Sequence, residues 1–331
     1  MAIFRHTADL PPEALGAVVA IGNFDGVHLG HQAVIAKALR IAAPTGVPVA
    51  VLTFEPHPRR FFRPGDPPFQ LTSWRLKARL LEALGVHHVF ILTFNEALSH
   101  LSAADFVRHV LMRDLGARHV VVGADFAFGH RRQGNGALLR AMGDELGFGV
   151  DVLEPVAESG GAAYSSTAIR ACLRAGDPAG AARLLGRYWE IEGRVRQGAR
   201  LGHELGFPTA NIGLDDFLHP GYGVYAVRAG IDRGERTLWH PGVANVGVRP
   251  MVDGTTPLLE VHLFDLEPDL YGQHLRVALV EHLRAERMFD DLEAMTVQMR
   301  ADAARARALL AGHAWEAGWP AEAPARATPT T

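Results

Sequence analysis

Residues 17–31 read AVVAIGNFDGVHLGH and pass directly from an apolar run into the start of a segment with helical periodicity. The run Ala17 to Gly22 predicts a buried strand, and the segment near Gly30 to Ile41 predicts the helix that follows it. A glycine-containing turn between such a strand and a helix is typical of parallel sheets covered by helices. Open α/β sheets bind ligands at the carboxyl ends of their strands. The stretch therefore predicts an α/β first half with a ligand site at this turn.

The alternation of short apolar runs with helix-period segments continues to about residue 187. Further strands are predicted at Val49 to Phe54, His88 to Thr93, His119 to Gly123 and Val150 to Leu153. Helices are predicted at Ser73 to Leu84, Ala103 to Leu115 and Gly136 to Leu146, with two more helical pieces after Ala168. Ser102 followed by Asp105 resembles a capping box, which supports the helix start at Ala103.

The pattern changes at about Tyr188 into strand-like segments separated by Gly, Pro and Asp turns, which is typical of an antiparallel sheet or closed barrel. These segments are Trp189 to Val195, Gly223 to Val227, Pro241 to Val246, Leu258 to Phe264 and His274 to Leu279. An amphipathic helix is predicted at Asp290 to Leu310. We expect one domain at 1–186, a second at 187–313, and a disordered Ala/Pro/Thr-rich tail at 314–331.

Composition narrows the class of protein. The 331 residues are enough for two domains, each with its own core. A net charge of -3, from 33 basic and 36 acidic residues, argues against a nucleic-acid partner. The single cysteine, Cys172, cannot form an intramolecular disulfide, and no signal peptide or membrane-spanning run is present. We therefore expect a cytoplasmic protein that neither enters a membrane nor binds nucleic acid, as a monomer or homo-oligomer.

The pair His28 and His31 is the first candidate site. Residues three apart lie on one face of a helical turn, Gly30 between them permits close approach of a ligand, and a helix N-terminus favours phosphate oxygens. Two imidazoles there can stabilise negative charge on a pentavalent phosphorus. The competing interpretations are an incidental helix start and a zinc site, but no H-E-x-x-H motif or cysteine cluster accompanies the pair.

Other motifs follow in order along the chain. In the first half they are Thr53 to Pro58, Val122 to Gly129 and Ser165 to Arg170. In the second half they are Gly202 to Ile212 with its P-T-A-N sequence, Gly221 to Ala226, Gly242 to Pro250 and Leu259 to Asp265. With the histidine loop, this set resembles the bacterial bifunctional riboflavin kinase/FMN adenylyltransferase family, over about nine tenths of the chain.

The resemblance implies a Rossmann-like nucleotidyltransferase α/β/α domain followed by an antiparallel riboflavin-kinase β-barrel with a terminal helix. It also implies two ATP-dependent reactions of FAD biosynthesis. The C-terminal module would phosphorylate riboflavin to FMN. The N-terminal module would adenylylate FMN to FAD with release of pyrophosphate. Riboflavin, FMN and ATP are then the small-molecule partners, and Mg²⁺ accompanies ATP by bridging its phosphates.

The resemblance also assigns roles to residues. Glu260 is the general base of the kinase, and His28 and His31 are the catalytic residues of the adenylyltransferase. Further ATP contacts in the first half are Gly22, Phe24, Asp25, Gly30, His57, Ser165, Ser166, Thr167 and Arg170. In the second half Gly202, Thr209 and Asn211 bind ATP, and Thr209 and Asn211 offer oxygen ligands to Mg²⁺. Flavin contacts are predicted at Phe62, Phe106, Asp125, Phe128, Arg284 and Arg287; each phenylalanine could equally be ordinary core.

Two departures from the family pattern bear on the flavin side. Asn135 stands where many relatives have aspartate, and Ala124 where a larger polar residue is common. Two other functions remain open from the sequence. One is an adenylyl- or cytidylyltransferase for a different acceptor, because H-x-G-H alone does not choose the substrate. The other is a flavin-binding regulator that no longer turns over.

Overall fold

A computed structural model describes residues 1–157, 163–196, 206–233, 236–251, 254–266 and 270–311. The chain forms two compact units, the first made of Met1–Pro67 and Lys77–Tyr164 and the second of Pro68–Leu76 and Ser165–Thr331. The second unit thus contains a short segment from the first half of the chain. The domain limits expected from the sequence, 1–186 and 187–313, stay a prediction. Both Gly202 and the predicted disordered tail, 314–331, lie outside the described residues.

The first unit contains a six-stranded parallel sheet in the order β1-β4-β3-β2-β5-β6. Its strands are β1 (Ala2–Phe4), β2 (Val18–Ile21), β3 (Val49–Glu55), β4 (His88–Thr93), β5 (His119–Gly123) and β6 (Gly149–Leu153). Five of them are the strands predicted from apolar runs. Such runs are uninterrupted because helices cover both faces of a parallel sheet, and all four residues of β2 are buried. The α/β fold expected for this half is confirmed.

The α-helices that begin among the described residues of this half are α1 (Leu29–Ala42), α2 (Pro58–Phe62), α3 (Trp74–Ala83), α4 (Glu96–His100), α5 (Ala103–Asp105) and α6 (Gly136–Leu146). The α5 turn continues as a π-helix over Phe106–Asp114. Ser102 caps α5, because its hydroxyl accepts the Asp105 backbone N–H at 3.1 Å, as the capping pattern predicts. No helix in the described ranges is long and apolar enough to cross a membrane.

The second unit contains a six-stranded antiparallel sheet in the order β7-β12-β9-β10-β11-β8. Its strands are β7 (Trp189–Arg194), β8 (Ala210–Gly213), β9 (Gly223–Arg233), β10 (Arg236–Met251), β11 (Gly254–Leu263) and β12 (His274–Ala285). The backbone N–H of Arg196, just beyond β7, donates to the Asn211 carbonyl on β8 at 2.8 Å. This bond brings the two edge strands together, so the sheet curls into a near-closed barrel, as expected.

Alternate residues of the barrel strands face its hydrophobic core, which includes Tyr225 and Val227 of β9. Two helices, α7 (Ser166–Arg174) and α8 (Pro178–Leu185), contribute to the same core. The terminal helix α9 (Leu292–Ala311) packs against the opposite face of the sheet, where Val224 and Ala226 meet Ala306. Residues paired with Val224 on the neighbouring strands point to the same side of the sheet. They therefore lie on the outer face of the barrel.

Candidate active sites

The loop that joins β2 to α1 lies at the point where the strand order reverses. The chain passes from β2 to β3 on one side and later to β5 on the other, so the carboxyl end of β2 borders a crevice. Such switch points are where open α/β sheets bind ligands. The sequence expectation of a site at this turn therefore agrees with the topology of the sheet.

This loop holds an unusual backbone conformation. Phe24 (φ +49°) and Val27 (φ +44°) are both in the left-handed region, which a β-branched residue rarely adopts. Strain of this kind persists only where the surroundings over-determine it. Here two side chains hold one carbonyl: the Lys77 Nζ donates to the Asn23 oxygen at 2.9 Å, and the Thr53 hydroxyl donates to the same oxygen at 3.2 Å.

His28 and His31 lie together at the start of α1. His28 is the N-cap residue, and its Nδ1 accepts the His31 backbone N–H at 3.3 Å. The proton of the neutral His28 ring is therefore on Nε2, which leaves that nitrogen as a donor. The two rings stack with centroids 3.7 Å apart, and the His31 ring lies 5.1 Å from that of Phe24. His28 is buried, with 6% of its surface exposed, whereas His31 is half-buried.

Position 30 requires glycine because there is no space for a side chain there, and not because of its backbone angles. A Cβ on Gly30 would lie 3.0 Å from the Cε1 of His28 and 3.2 Å from the Tyr164 carbonyl oxygen. Any larger residue must therefore displace the His28 ring or the backbone at Tyr164. The glycine of the H-x-G-H pattern thus allows the histidine rings to take their observed position.

The family resemblance implies that FAD forms from FMN and ATP at this loop. Changing Gly30 to alanine should lower the rate of that reaction by about 10-fold, because the His28 ring must move by a few tenths of an ångström. Initial rates measured by chromatography check this result. Gly65→Ala is the matched control, since a Cβ there meets nothing within 4 Å. A Gly30→Ala enzyme as fast as the Gly65→Ala enzyme would contradict the packing argument.

Several predicted contacts surround the same sheet edge. His57 caps α2, with its Nδ1 accepting the Arg59 backbone N–H at 3.1 Å. Phe62 is 63% exposed and packs edge-on against Phe61 and Phe94. Asp125 is exposed, directly after β5.

Phe106 and Phe128 are placed differently from Phe62. Both belong to the hydrophobic core of the first unit, with ring centroids 5.5 Å apart. This is the ordinary core position that the sequence allowed for each of them. Their assignment to a flavin site stays a prediction.

The two departures from the family pattern leave the fold intact. The Asn135 side chain caps α6 by accepting the Leu138 backbone N–H at 3.0 Å. Asparagine and aspartate are about equal as N-cap residues, so this position keeps its structural role. Ala124 is exposed.

The predicted phosphate-binding motif at 165–170 lies in the second unit. Ser165 caps α7 by accepting the Ala168 backbone N–H at 3.1 Å, Ser166 is half-buried and Thr167 is exposed. The Nε of Arg170 donates to the Phe69 carbonyl at 2.8 Å, and its guanidinium lies 5.4 Å from the centre of the Phe69 ring. These contacts fix the direction of the arginine; its contact with ATP stays a prediction.

The second site is a row of side chains across the barrel sheet. Glu260 on β11 is paired in register with Asn211 on β8 and with Asn245 on β10. Directly paired residues point to the same side of an antiparallel sheet with Cβ atoms about 5 Å apart. Thr209 lies two positions before Asn211, immediately before β8 begins. The structure therefore brings Glu260 next to Asn211, as the sequence interpretation required.

The P-T-A-N segment is held in place by its neighbours. The Nδ1 of His262 hydrogen-bonds to the Pro208 carbonyl at 3.0 Å, and the ring of Phe207 packs edge-on against the His262 ring. His262 is two residues after Glu260, on the same face of β11. The P-T-A-N turn is thus held against β11, the strand that carries Glu260.

Arg284 and Arg287 are engaged with the terminal helix. The Arg284 guanidinium forms an ion pair with the buried Asp302 at 2.8 Å, and Arg287 donates to Gln298 at 2.7 Å. Both guanidinium groups lie over the ring of Phe289, at 5.7 and 4.6 Å from its centre. These contacts join β12 to α9, and direct flavin contact by either arginine stays a prediction.

The sequence analysis gave no role to three residues of these sites: Lys77, Thr53 and Asn245. Thr53 stood at the start of a quoted motif, but its contact with the Asn23 carbonyl depends on the fold. Lys77 is only 6% exposed, and burial lowers the pKa of its ammonium while the nearby carboxylates Asp25 and Glu55 oppose that shift. A signal was present, because Lys77 is a charge on the same helix face as the buried Leu80 and Leu81. Asn245 stood in a quoted motif, but its pairing with Glu260 depends on sheet register.

The second site suits magnesium in the chemistry of its donors. A hydroxyl at Thr209 and an amide at Asn211, beside a carboxylate, offer the oxygen ligands that Mg²⁺ prefers. The described part of the chain holds no group of three or more His, Cys, Asp or Glu side chains that could form a metal cage. Binding of Mg²⁺ together with ATP belongs to the proposal below.

The parallel sheet with its histidine loop and the antiparallel barrel with its carboxylate row define a two-module enzyme that transfers phosphorus-containing groups. The family model for FAD synthetase matches residues 10–168, and the model for riboflavin kinase matches residues 185–310. The chain belongs to the bifunctional riboflavin kinase/FMN adenylyltransferase family.

Similar proteins cover nearly the whole chain. A bifunctional riboflavin kinase/FMN adenylyltransferase of Pseudomonas fluorescens is 45% identical over 94% of this chain and 98% of its own length. The protein of the same name from Escherichia coli K12 is 41% identical over 91% of this chain and 95% of its own. A solved structure named as a macrolide-efflux protein from Streptococcus pneumoniae is 29% identical, with a TM-score of 0.81 over 92% of this chain and 98% of that one.

Proposed function

We propose that this chain makes FAD in two steps, each at one of the sites described above. The C-terminal module phosphorylates riboflavin to FMN with ATP, and the N-terminal module adenylylates FMN to FAD and releases pyrophosphate. The observation that carries the proposal is the presence in one chain of both arrangements, the stacked His28 and His31 and the row that pairs Glu260 with Asn211.

In the kinase step Glu260 accepts the proton of the terminal ribityl hydroxyl as that oxygen attacks the γ-phosphorus of ATP. The new O–P bond forms as the bond to the β-phosphate oxygen breaks, and ADP leaves. An alcohol must give up its proton as it reacts, so a carboxylate within reach is required. Asn211 and Thr209 orient the phosphates, and Mg²⁺ bound by these oxygens and by ATP would neutralise their charge.

In the adenylyl step a phosphate oxygen of FMN attacks the α-phosphorus of ATP, and pyrophosphate leaves. FMN phosphate is already ionised near pH 7, so the site needs donors rather than a base. The Nε2–H of His28 and the ring of His31 supply donors at the N-terminus of α1, where the helix dipole also favours negative charge. His57 and Asp25 add further ATP contacts in this proposal, and ATP contact by residues 165–170 stays a prediction.

The flavin contacts form the third part of the proposal. Phe62 suits this role best by its exposure, because an exposed aromatic ring next to two others offers a flat surface to the isoalloxazine. Arg284, Arg287 and Asp125 are also proposed to contact the flavin. A cytoplasmic location, the absence of a nucleic-acid partner and the choice between monomer and homo-oligomer stay predictions.

One experiment tests the proposal and both alternatives. The protein is incubated with riboflavin, ATP and magnesium, and the flavins are separated by chromatography. We expect FMN to appear first and FAD to follow. FMN without FAD would mean that the N-terminal module has another acceptor, and binding of riboflavin with neither product would favour a flavin-binding regulator.

A further inference from the structure

Lys77 is a buried cation that neither proposed reaction uses. It lies near the start of α3, and its Nζ donates to the Asn23 carbonyl at 2.9 Å. Burying an ammonium group costs several kcal/mol unless it is paired and hydrogen-bonded, so its presence needs a compensating contact. Asp25 and Glu55 supply opposite charge, and Asp25 is itself buried.

The choice of lysine at this position is informative in its own right. Of the 33 basic residues in the chain, Lys37 and Lys77 are the two lysines and the remainder are arginine. An ammonium is a compact charge with donors in three directions, whereas a guanidinium is a planar fork that suits carboxylates and phosphates. The Asn23 carbonyl is a single acceptor close to the carboxylates of Asp25 and Glu55, and an ammonium suits such a site better than a guanidinium does.

The carbonyl that Lys77 holds controls the path of the histidine loop. Asn23 immediately precedes Phe24, which has a left-handed backbone and a ring 5.1 Å from that of His31. Thr53 donates to the same oxygen from β3. Two donors from separate elements therefore fix one peptide at the start of the strained stretch that ends at His28.

We propose that Lys77 is a positioning residue for adenylyl transfer: by holding the Asn23 carbonyl, it fixes the loop that places His28 and His31 against the reacting phosphate. This inference rests on the proposed adenylyltransferase function of the first module. Its consequence is that Lys77 acts on the rate of the chemical step and not on the binding of ATP or FMN.

The test uses the full-length chain with Lys77→Met, which keeps the length of the side chain and removes its charge and donors. FAD formation is followed in single turnover, with enzyme in excess over FMN and ATP saturating. Under these conditions the rate constant does not depend on the fraction of molecules that is folded. We expect it to fall by about 30-fold, with the KM values for ATP and FMN changed by less than about threefold.

Two further variants keep the test decisive if Lys77→Met folds poorly. Thr53→Val removes the second donor with almost no change in volume and should lower the same rate constant by about 5-fold. Lys37→Met is the matched control, because Lys37 pairs with Asp151 on the surface and should leave the rate constant unchanged. Riboflavin phosphorylation, measured on each preparation, should stay within about twofold of wild type.

A wild-type rate constant in Lys77→Met and in Thr53→Val would overturn the proposal, whatever happens to their stability. A loss seen as a raised KM with an unchanged rate constant would overturn it as well, because it would place Lys77 in substrate binding. Failure of the proposed function is distinguishable, since the wild-type chain would then form no FAD from FMN.

Discussion

Changing Glu260 to glutamine is expected to reduce riboflavin phosphorylation by about 100- to 10,000-fold, the usual contribution of a general base. Glutamine has nearly the same shape and keeps the cross-strand pairing with Asn211 and Asn245, but it cannot accept the hydroxyl proton. The loss should therefore appear in kcat, with the KM for riboflavin little changed. Conversion of riboflavin to FMN, followed by chromatography, gives both constants.

The same preparation contains its own control. Conversion of added FMN to FAD by the Glu260→Gln chain should stay within about twofold of wild type, because none of the side chains proposed for that step lies in the row of Glu260 across the barrel. Glu293→Gln, an exposed substitution of the same kind on α9, should affect neither reaction. Loss of both activities in a folded Glu260→Gln protein would refute the independence of the two sites.

Replacing His31 with alanine is expected to lower FAD formation from FMN by about 100- to 1,000-fold, which is the range for loss of one preorganised donor to a transition-state oxyanion. His31 is chosen over His28 because it is the more exposed of the stacked pair, whereas His28 also caps α1. The His28→Ala result would therefore mix the loss of a donor with loss of the helix cap.

The measurement is the steady-state rate of FAD formation with inorganic pyrophosphatase present to prevent reversal. His6→Ala removes an exposed histidine of the same module and should leave that rate unchanged. Riboflavin kinase activity of the His31→Ala chain should match wild type. An undiminished FAD rate would show that His31 is only a helix-start residue, the interpretation that the sequence alone left open.

The parallel sheet could be predicted because its central strands are buried on both faces and therefore read as uninterrupted apolar runs. Strand β1 was missed because its three residues are partly exposed. Strand β8 was missed because Ala210–Gly213 is short, fully buried and without alternation. Neither strand is long enough to show an apolar run or an alternation of the kind that sequence interpretation uses.

The candidate residues were found where function requires particular side chains in a short span, as in the histidine loop. Contacts between distant parts of the chain have no comparable short motif in the sequence. The helix face that Lys77 shares with Leu80 and Leu81 indicates its burial, but it does not specify that the ammonium contacts the Asn23 carbonyl, which lies 54 residues earlier in the chain. The pairing of Arg284 with Asp302 depends on how α9 lies on the barrel, which no local pattern specifies.

The short segment 68–76 limits how this protein can be divided. The indole N–H of Trp189, at the start of the barrel, donates to the Leu71 carbonyl at 2.7 Å, and Gln70 exchanges backbone hydrogen bonds with residues 216 and 218. Leu71 is fully buried among the barrel residues. A gene fragment that starts at codon 187 would leave this indole without its acceptor and a leucine-sized void beside it. Hybrid enzymes that exchange the kinase half between species must therefore carry this distant piece of sequence as well.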